Sequence, residues 1–236
     1  MNLILLFPDD FIDNTERVRL QGRRLQHVRE VHHASMGDEL CIGLLNGGIG
    51  VGKVSRLDRS VLEMEVRLER MPPPPVPLTL VLALPRPKVL RRVLRSVSAM
   101  GVKKIFLLNA FRVEKSYWQS PFLNPEAVNE QLAFGLEQSR DTVLPDFQLR
   151  PLFKPFVEDE LPGLIRGTLA LVAHPVAPAP CPRAVVGPVT LVIGPEGGFL
   201  PYEIEKLVVA GFTPVHLGER ILSVETAVPA LVSRLF

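Results

Sequence analysis

From Ser60 to Leu68 the chain alternates strictly, with Leu62, Met64, Val66 and Leu68 on one face and Glu63, Glu65 and Arg67 on the other. That period of two marks a half-buried strand. Asp38 to Leu45 and Gly50 to Leu57 read as two further strands, and Asn46-Gly47 between them is a strong hairpin signal. Residues 1–70 are therefore expected to form a small β-barrel or sandwich. The stretch MPPPPVP, Met71 to Pro77, removes successive amide donors and holds an extended path that neither a helix interior nor a central strand accepts. A domain boundary is placed there, with 71–77 as a proline-rich linker.

After the prolines the rhythm changes. Leu78 to Leu84 is a continuous apolar run, Val89 to Met100 has helical spacing, and Lys104 to Leu108 is apolar again after Gly101. This is a β-α-β signature. Pro125 to Arg140 predicts a second helix, Leu169 to Ala173 and Val189 to Ile193 buried strands, and Pro201 to Ala210 a helix with Gly211 just past its end. Phe212 to Leu217 predicts a last strand before a terminal helix. Buried strands alternating with helices specify an α/β domain over 78–236, with a mostly parallel sheet whose ligands collect at the carboxyl ends of the strands. The loop IGPEGGF, Ile193 to Phe199, lies at such an end, and so does HLGER, His216 to Arg220. Glycines after an apolar run bring backbone close to a ligand, but Glu196 in their midst argues against phosphate.

Composition narrows the class without naming a partner. In 236 residues, 27 Lys and Arg face 25 Asp and Glu, so no overall field points to a polyanion, whereas local clusters still can. Cys41 and Cys181 are far apart and form no CxxC, which gives neither a zinc site nor a disulfide framework and fits a reducing compartment. The N-terminal MNLILLFPDDF has no basic segment before its short apolar run, and no stretch approaches the roughly 20 apolar residues of a membrane span. A cytoplasmic location is the expectation.

Several motifs compete for chemistry. GGIGVGK, Gly47 to Lys53, satisfies GxxxxGK, but Val54 stands where a P-loop needs a hydroxyl and the segment continues as a strand, so a glycine-rich hairpin is preferred. His27, His32 and His33 lack a completing carboxylate or thiolate, and no GxSxG occurs, so neither a metal centre nor a serine hydrolase is expected. Lys88, Arg91, Arg92 and Arg95 fall at i, i+3, i+4 and i+7 and form a basic stripe on one helix face. Arg86 precedes the stripe, and Arg23-Arg24 and Lys103-Lys104 add further clusters, a combination that suits RNA phosphates. Towards the end, Thr226 is expected to cap the terminal helix, with Pro229 in its first turn and Glu225 just before the cap, against the positive helix end.

IGPEGGF followed by LGERILSVETA, Leu217 to Ala227, resembles the RsmE family of 16S rRNA (uracil-N3)-methyltransferases in the SPOUT superfamily. ALPRPK (Ala83 to Lys88), MGVKKI (Met100 to Ile105), LEQSRDTVLP (Leu136 to Pro145) and His174-Pro175 fall in the family's order, so the resemblance covers essentially the whole chain. It implies a PUA-like RNA-binding barrel over 1–70, a SPOUT domain with a C-terminal trefoil knot, and a homodimer. The implied substrate is 16S rRNA of the small ribosomal subunit, at uracil 1498 in the customary rRNA numbering, and the implied methyl donor is S-adenosylmethionine.

Carried onto this chain, the cofactor site would involve Leu82, Leu84, His174, Pro175, Gly194, Pro195, Glu196, Gly197, Leu217, Gly218, Ile221 and Leu222. Arg23, Arg24, Arg86, Lys88, Arg91, Arg92 and Arg140 would face RNA, and Arg220 and Glu225 would serve the reaction. No metal is implied. One position departs from the family, which usually reads RILRxETA: Ser223 stands in place of an arginine and offers neither its charge nor its bidentate contact. That substitution keeps two alternatives open, a catalytically weakened RNA-binding or ribosome-assembly relative, and a SPOUT methyltransferase acting on another RNA.

Overall fold

The computed structural model describes residues 2–12 and 15–236. By its contacts the chain forms two compact units, Met1–Pro74 with Ala133–Leu144, and Pro75–Leu132 with Pro145–Phe236.

In the first unit, β1 (Ile4–Leu6), β2 (Arg17–Leu20), a short helix α1 (Gly22–His27), β3 (Glu39–Leu44), β4 (Ile49–Leu57) and β5 (Leu62–Arg70) give a mixed sheet in the order β1-β3-β4-β5-β2. The pair β1–β3 is parallel and the other pairs are antiparallel. Ile4, Leu6, Val18, Leu20, Ile42, Leu62 and Met64 share one core, while Leu3 and Leu5 point the other way onto Ala133 and Leu136. Strand β1 is thus buried on both faces, each leucine contributing about 1.5–3 kcal/mol.

Asn46 takes φ 57° in the expected turn, and its side chain accepts from the Leu144 N–H at 2.9 Å, so the turn is also tied to the returning 141–144 segment. The GGIGVGK stretch forms this turn and runs into β4, as the hairpin reading expected. The alternation in β5 is broken at two points: Leu68 is exposed, and Glu63 is buried with Arg19 at 2.8 Å and Arg17 at 3.5 Å. Those two guanidinium groups from β2 neutralise a carboxylate that the pattern had assigned to solvent.

The second unit contains β6 (Val76–Ala83), α2 (Pro87–Ala99), β7 (Val102–Leu108), α3 (Pro125–Ser139), β8 (Asp146–Arg150), the short turns α4 (Phe153–Pro155) and α5 (Leu161–Leu164), β9 (Leu169–Ala173), β10 (Ala179–Pro180), β11 (Val189–Ile193), α6 (Pro201–Val209), β12 (Thr213–His216) and α7 (Val224–Leu235). Its seven strands run β10-β12-β9-β11-β6-β7-β8, every pair parallel. All five residues of β11 are buried, as a central parallel strand requires.

Sequence and structure differ at three places here. Strand β6 begins at Val76, inside the expected linker, and the end of α3 from Ala133 packs with the first unit although 78–236 was read as continuous. Helix α7 starts at Val224, so Ser223 is its N-cap and Thr226 lies inside the first turn, where the two hydroxyls meet at 3.0 Å. Glu225 is accordingly a first-turn residue, and Pro229 sits within the helix, removing one internal hydrogen bond.

A cavity at the carboxyl ends of three parallel strands

A cavity of about 490 Å³ opens at the carboxyl ends of β9, β11 and β12. Its floor is Ala173, Ile193 and Val215, its two walls are the loops 194–199 and 216–223, and Ala227 and Leu231 of α7 close it. Strand order explains the place. The chain leaves the edge strand β8, lays β9 down beyond β6, and returns to insert β11 between them, and β12 then pairs on the far side of β9, so the exits of β12, β9 and β11 lie side by side at one end of the sheet.

The first wall is a turn closed by the Gly198 N–H donating to the Pro195 carbonyl at 2.8 Å, with Gly198 at φ 71°. At Gly197 a Cβ would press on the Arg112 stem at 3.1 Å. Arg112 donates through its guanidinium to the Gly197 carbonyl. The acid at the centre has a partner that the sequence did not suggest: the backbone N–H of Arg86 donates to Glu196 Oε1 at 3.0 Å. Because α2 begins at Pro87, Glu196 completes the donor-rich end of that helix from a distant loop. Glu203, buried in the first turn of α6, accepts from the N–H groups of Leu200 and Phe111, both at 2.8 Å, and so joins this wall to the turn after β7.

In the second wall the Gly218 N–H donates to His216 Nδ1 at 2.9 Å. Across from it, burial lowers the pKa of His174 below its ordinary 6.5, favouring the neutral ring. Arg220 lines the rim and is exposed, and Ile221 is 82% exposed although it also borders the cavity.

Of the anticipated cofactor residues, His174, Pro175, Gly194, Pro195, Glu196, Gly197, Leu217, Gly218, Ile221 and Leu222 line this one cavity. Leu82 and Leu84 do not: both are buried, Leu82 beside Ile193 in the sheet and Leu84 bound through its amide to the Leu108 carbonyl. Glu225 is likewise outside the lining, its carboxylate accepting from Arg92 Nη1 at 3.1 Å. Phe199 and His216 lie at the ends of the two anticipated loops without having been named as cofactor residues, and Glu203 and Arg112 were not anticipated. Glu203 carried a signal, since it stands at the third position of a helix begun by Pro201, where an acid caps the N-terminus. Arg112 carried none.

The expected RNA-facing cations differ in circumstance. Arg86 and Lys88 are exposed, Arg91 lies 4.9 Å over the Phe122 ring, and Arg95 donates to Gln131. Arg140 ends α3 at φ 57° and is exposed. In the first unit Arg23 makes a fork to both Glu137 oxygens at 2.8 and 3.0 Å, and Arg24 is held by Asp10 and by the Leu5 carbonyl. Those two arginines therefore fasten the unit's own elements. Among the described residues no group of three or more His, Cys, Asp or Glu could hold a metal ion, and no helix is long and apolar enough to cross a membrane.

Comparison with known proteins agrees with this geometry. A family model described as an RNA methyltransferase domain matches residues 72–236. The chain is 29% identical over 232 residues to the ribosomal RNA small subunit methyltransferase E of Treponema pallidum, covering 96% of this chain and 87% of that protein. Among solved structures, the methyltransferase E of Neisseria gonorrhoeae bound to S-adenosyl methionine matches with TM-score 0.72 at 18% identity, over 98% of this chain and 95% of the other. A putative methyltransferase of Legionella pneumophila, in complex with the same cofactor, matches with TM-score 0.73 at 21% identity, over 99% and 96%. At these identities the structures establish a shared fold.

Proposed function

The chain belongs to the RNA methyltransferase domain family, in its RsmE group, and from that premise we propose that it methylates uracil N3 at a specific uridine of 16S rRNA in the small ribosomal subunit, using S-adenosylmethionine. The observation that carries the reading is the 490 Å³ cavity walled by both diagnostic loops, because it brings residues of IGPEGGF and HLGERIL to one cavity. The cavity fits the cofactor: its volume lies in the small-molecule range, its floor is apolar, and two imidazoles and one carboxylate border it.

When bound, S-adenosylmethionine supplies a methyl group on a cationic sulfur. Methyl transfer to N3 would release the cofactor as its neutral thioether and the N3 proton to solvent water. This chain's residues must position the base, exclude water and stabilise charge spreading onto the uracil oxygens. Arg220 is the cation at the rim for that role, together with nearby loop amides. Glu225, in the first turn of α7 and next in the chain to Ser223 and Val224 of the cavity wall, orders that loop or relays the proton. Phosphate contacts fall to Arg86, Lys88 and the rest of the stripe, and the first unit serves as a PUA-like RNA-binding module.

The same reading includes a homodimer, a cytoplasmic location and a knotted C-terminus. The knot is supported by the path of 174–188, whose Cys181 N–H donates to His216 and whose Ala184 and Val185 amides donate to Arg234 and Leu235 at the end of α7. A weakened RNA-binding relative is the second reading, and Ser223 at the cavity wall favours it. Calorimetric titration with S-adenosylmethionine, followed by mass mapping of small-subunit rRNA with and without the protein, separates them. Absence of cofactor binding would sink the enzyme, binding without a new methyluridine would favour the relative, and a methyl group on another RNA would correct the substrate.

A further inference from the structure

We propose that the turn Asn109–Val113 is a nucleotide-docking rim, on which Phe111 stacks with a base of single-stranded RNA and Arg112 meets the adjoining phosphate; the inference rests on the RNA reading above and extends it. Phe111 is 78% exposed, yet Ala110 before it and Val113 two residues after it are buried at 3% and 7%. Its exposure does not come from a loose loop. The Asn109 N–H donates to the Arg150 carbonyl at 2.9 Å, Trp118 Nε1 donates to Asn109 Oδ1 at 2.9 Å, and the Phe111 N–H donates to Glu203 at 2.8 Å.

The backbone is thus fixed at Asn109 and Phe111, and the Val113 N–H closes the turn on the Ala110 carbonyl at 3.0 Å, so a large aromatic ring is held out in water on an ordered turn, which lowers the ordering cost of binding against it. The turn also abuts the cavity. Arg112 grips the Gly197 carbonyl of the cavity wall, and Glu203 couples Phe111 to the helix that follows that wall. Exposed cations lie close to the ring in the chain, Arg112 next to it and Lys115 four residues on with the exposed acid Glu114 between them, and the exposed Arg86 is tied through its amide to Glu196 of the same loop whose Gly197 carbonyl takes Arg112. An aromatic face among cations is how proteins grip single-stranded nucleic acid, since every base has a face to stack and every nucleotide a phosphate.

The test compares wild type with Phe111→Ala and Phe111→Tyr. Methylation of small-subunit rRNA is followed at saturating S-adenosylmethionine, and binding of fluorescein-labelled single-stranded oligouridylate is followed by anisotropy. Phe111→Ala should raise KM for RNA and the oligonucleotide Kd about five- to a hundredfold, with kcat, cofactor affinity and melting temperature unchanged. Its salt dependence should match wild type, because stacking releases no counterions. Phe111→Tyr, which keeps the ring, should restore binding. Unchanged KM and Kd in Phe111→Ala would overturn the inference, and so would a change in sedimentation showing that the ring seats a second copy of the chain. If wild type methylated no RNA while Phe111→Ala still weakened oligouridylate binding, the enzymatic reading would fail and the docking rim would stand.

Discussion

The carboxylate of Glu196 accepts a hydrogen bond at 3.0 Å from the backbone N–H of Arg86, 110 residues away in the chain. It thus acts as a cap supplied from outside the helix, and it links the cavity wall to the start of the basic stripe on α2. Glu196→Ala removes the acceptor and should lower stability by about 0.5–2 kcal/mol, read by urea unfolding, and should weaken cofactor binding. Glu196→Gln keeps a carbonyl oxygen in reach and should recover most of the stability. Equal losses in both variants would mean that charge, and not the hydrogen bond, is what matters.

Gly197→Ala tests the packing of Arg112 against the cavity wall. The new methyl would fall 3.1 Å from the Arg112 Cδ and 3.2 Å from its Cβ, so the arginine must shift by a few tenths of an ångström, which strains its hydrogen bond to the Gly197 carbonyl. Because a flexible side chain can give way, the melting temperature should change little while cofactor affinity measured by calorimetry falls. An affinity equal to wild type would remove Arg112 from the positioning of this loop.

Glu203 has the larger structural consequence. It is buried and accepts two backbone N–H groups from different segments. Glu203→Ala should destabilise by about 1–3 kcal/mol for each amide left without a partner, and urea unfolding would register the loss. Glu203→Gln, whose amide retains one acceptor oxygen, should fall between that variant and wild type.

His174 predicts a pH dependence. Burial lowers its folded pKa below the ordinary 6.5, so the unfolded chain takes up the proton first. Its contribution is fully favourable above about pH 6.5 and is lost as pH falls from there through the folded value. His174→Gln should therefore flatten the decline in unfolding free energy on the acid side of pH 6.5, measured by denaturant titration across that range. An unchanged slope would show that the ring is no more desolvated folded than unfolded.

The basic stripe predicts a change in salt dependence. Arg92 is only loosely committed to Glu225, at 3.1 Å with its side chain 70% exposed, and pairs of that kind contribute about 0–1 kcal/mol. Replacing Arg91 and Arg92 by Ala should weaken RNA binding and flatten the plot of log K against log salt. A slope identical to wild type would leave both arginines as a solvated face.

Much of the second unit was legible because its signals are local. Unbroken apolar runs marked β6, β9 and β11, helical spacing marked α2, and proline or glycine marked helix ends, each within a few residues of the chain. The loops 194–199 and 216–223 stood out for the same reason, and ten of the twelve anticipated cofactor residues line the cavity. Leu82 and Leu84 fell outside because a motif's neighbourhood in sequence does not tell which residues of a strand face a crevice.

What lies further apart was not legible. Glu63 looked like a surface acid until β2 brought two arginines to it, and Arg23 and Arg24 looked like RNA-facing cations until Glu137 and Asp10 engaged them. The sequence by itself determined β3 to β7, β9, β11, β12, α2, α3, α6 and α7 and marked two loops at strand ends, since those follow from periodicity, from backbone freedom at glycine and from its restriction at proline, whereas β1, β2, β8, β10 and the short helices were not read from it. Only the tertiary structure decided that β11 enters between β9 and β6, that Glu196 caps α2, and that Arg112 and Glu203 brace the cavity wall. Those contacts join residues tens of positions apart, and their partners are chosen by strand order, which no local pattern encodes.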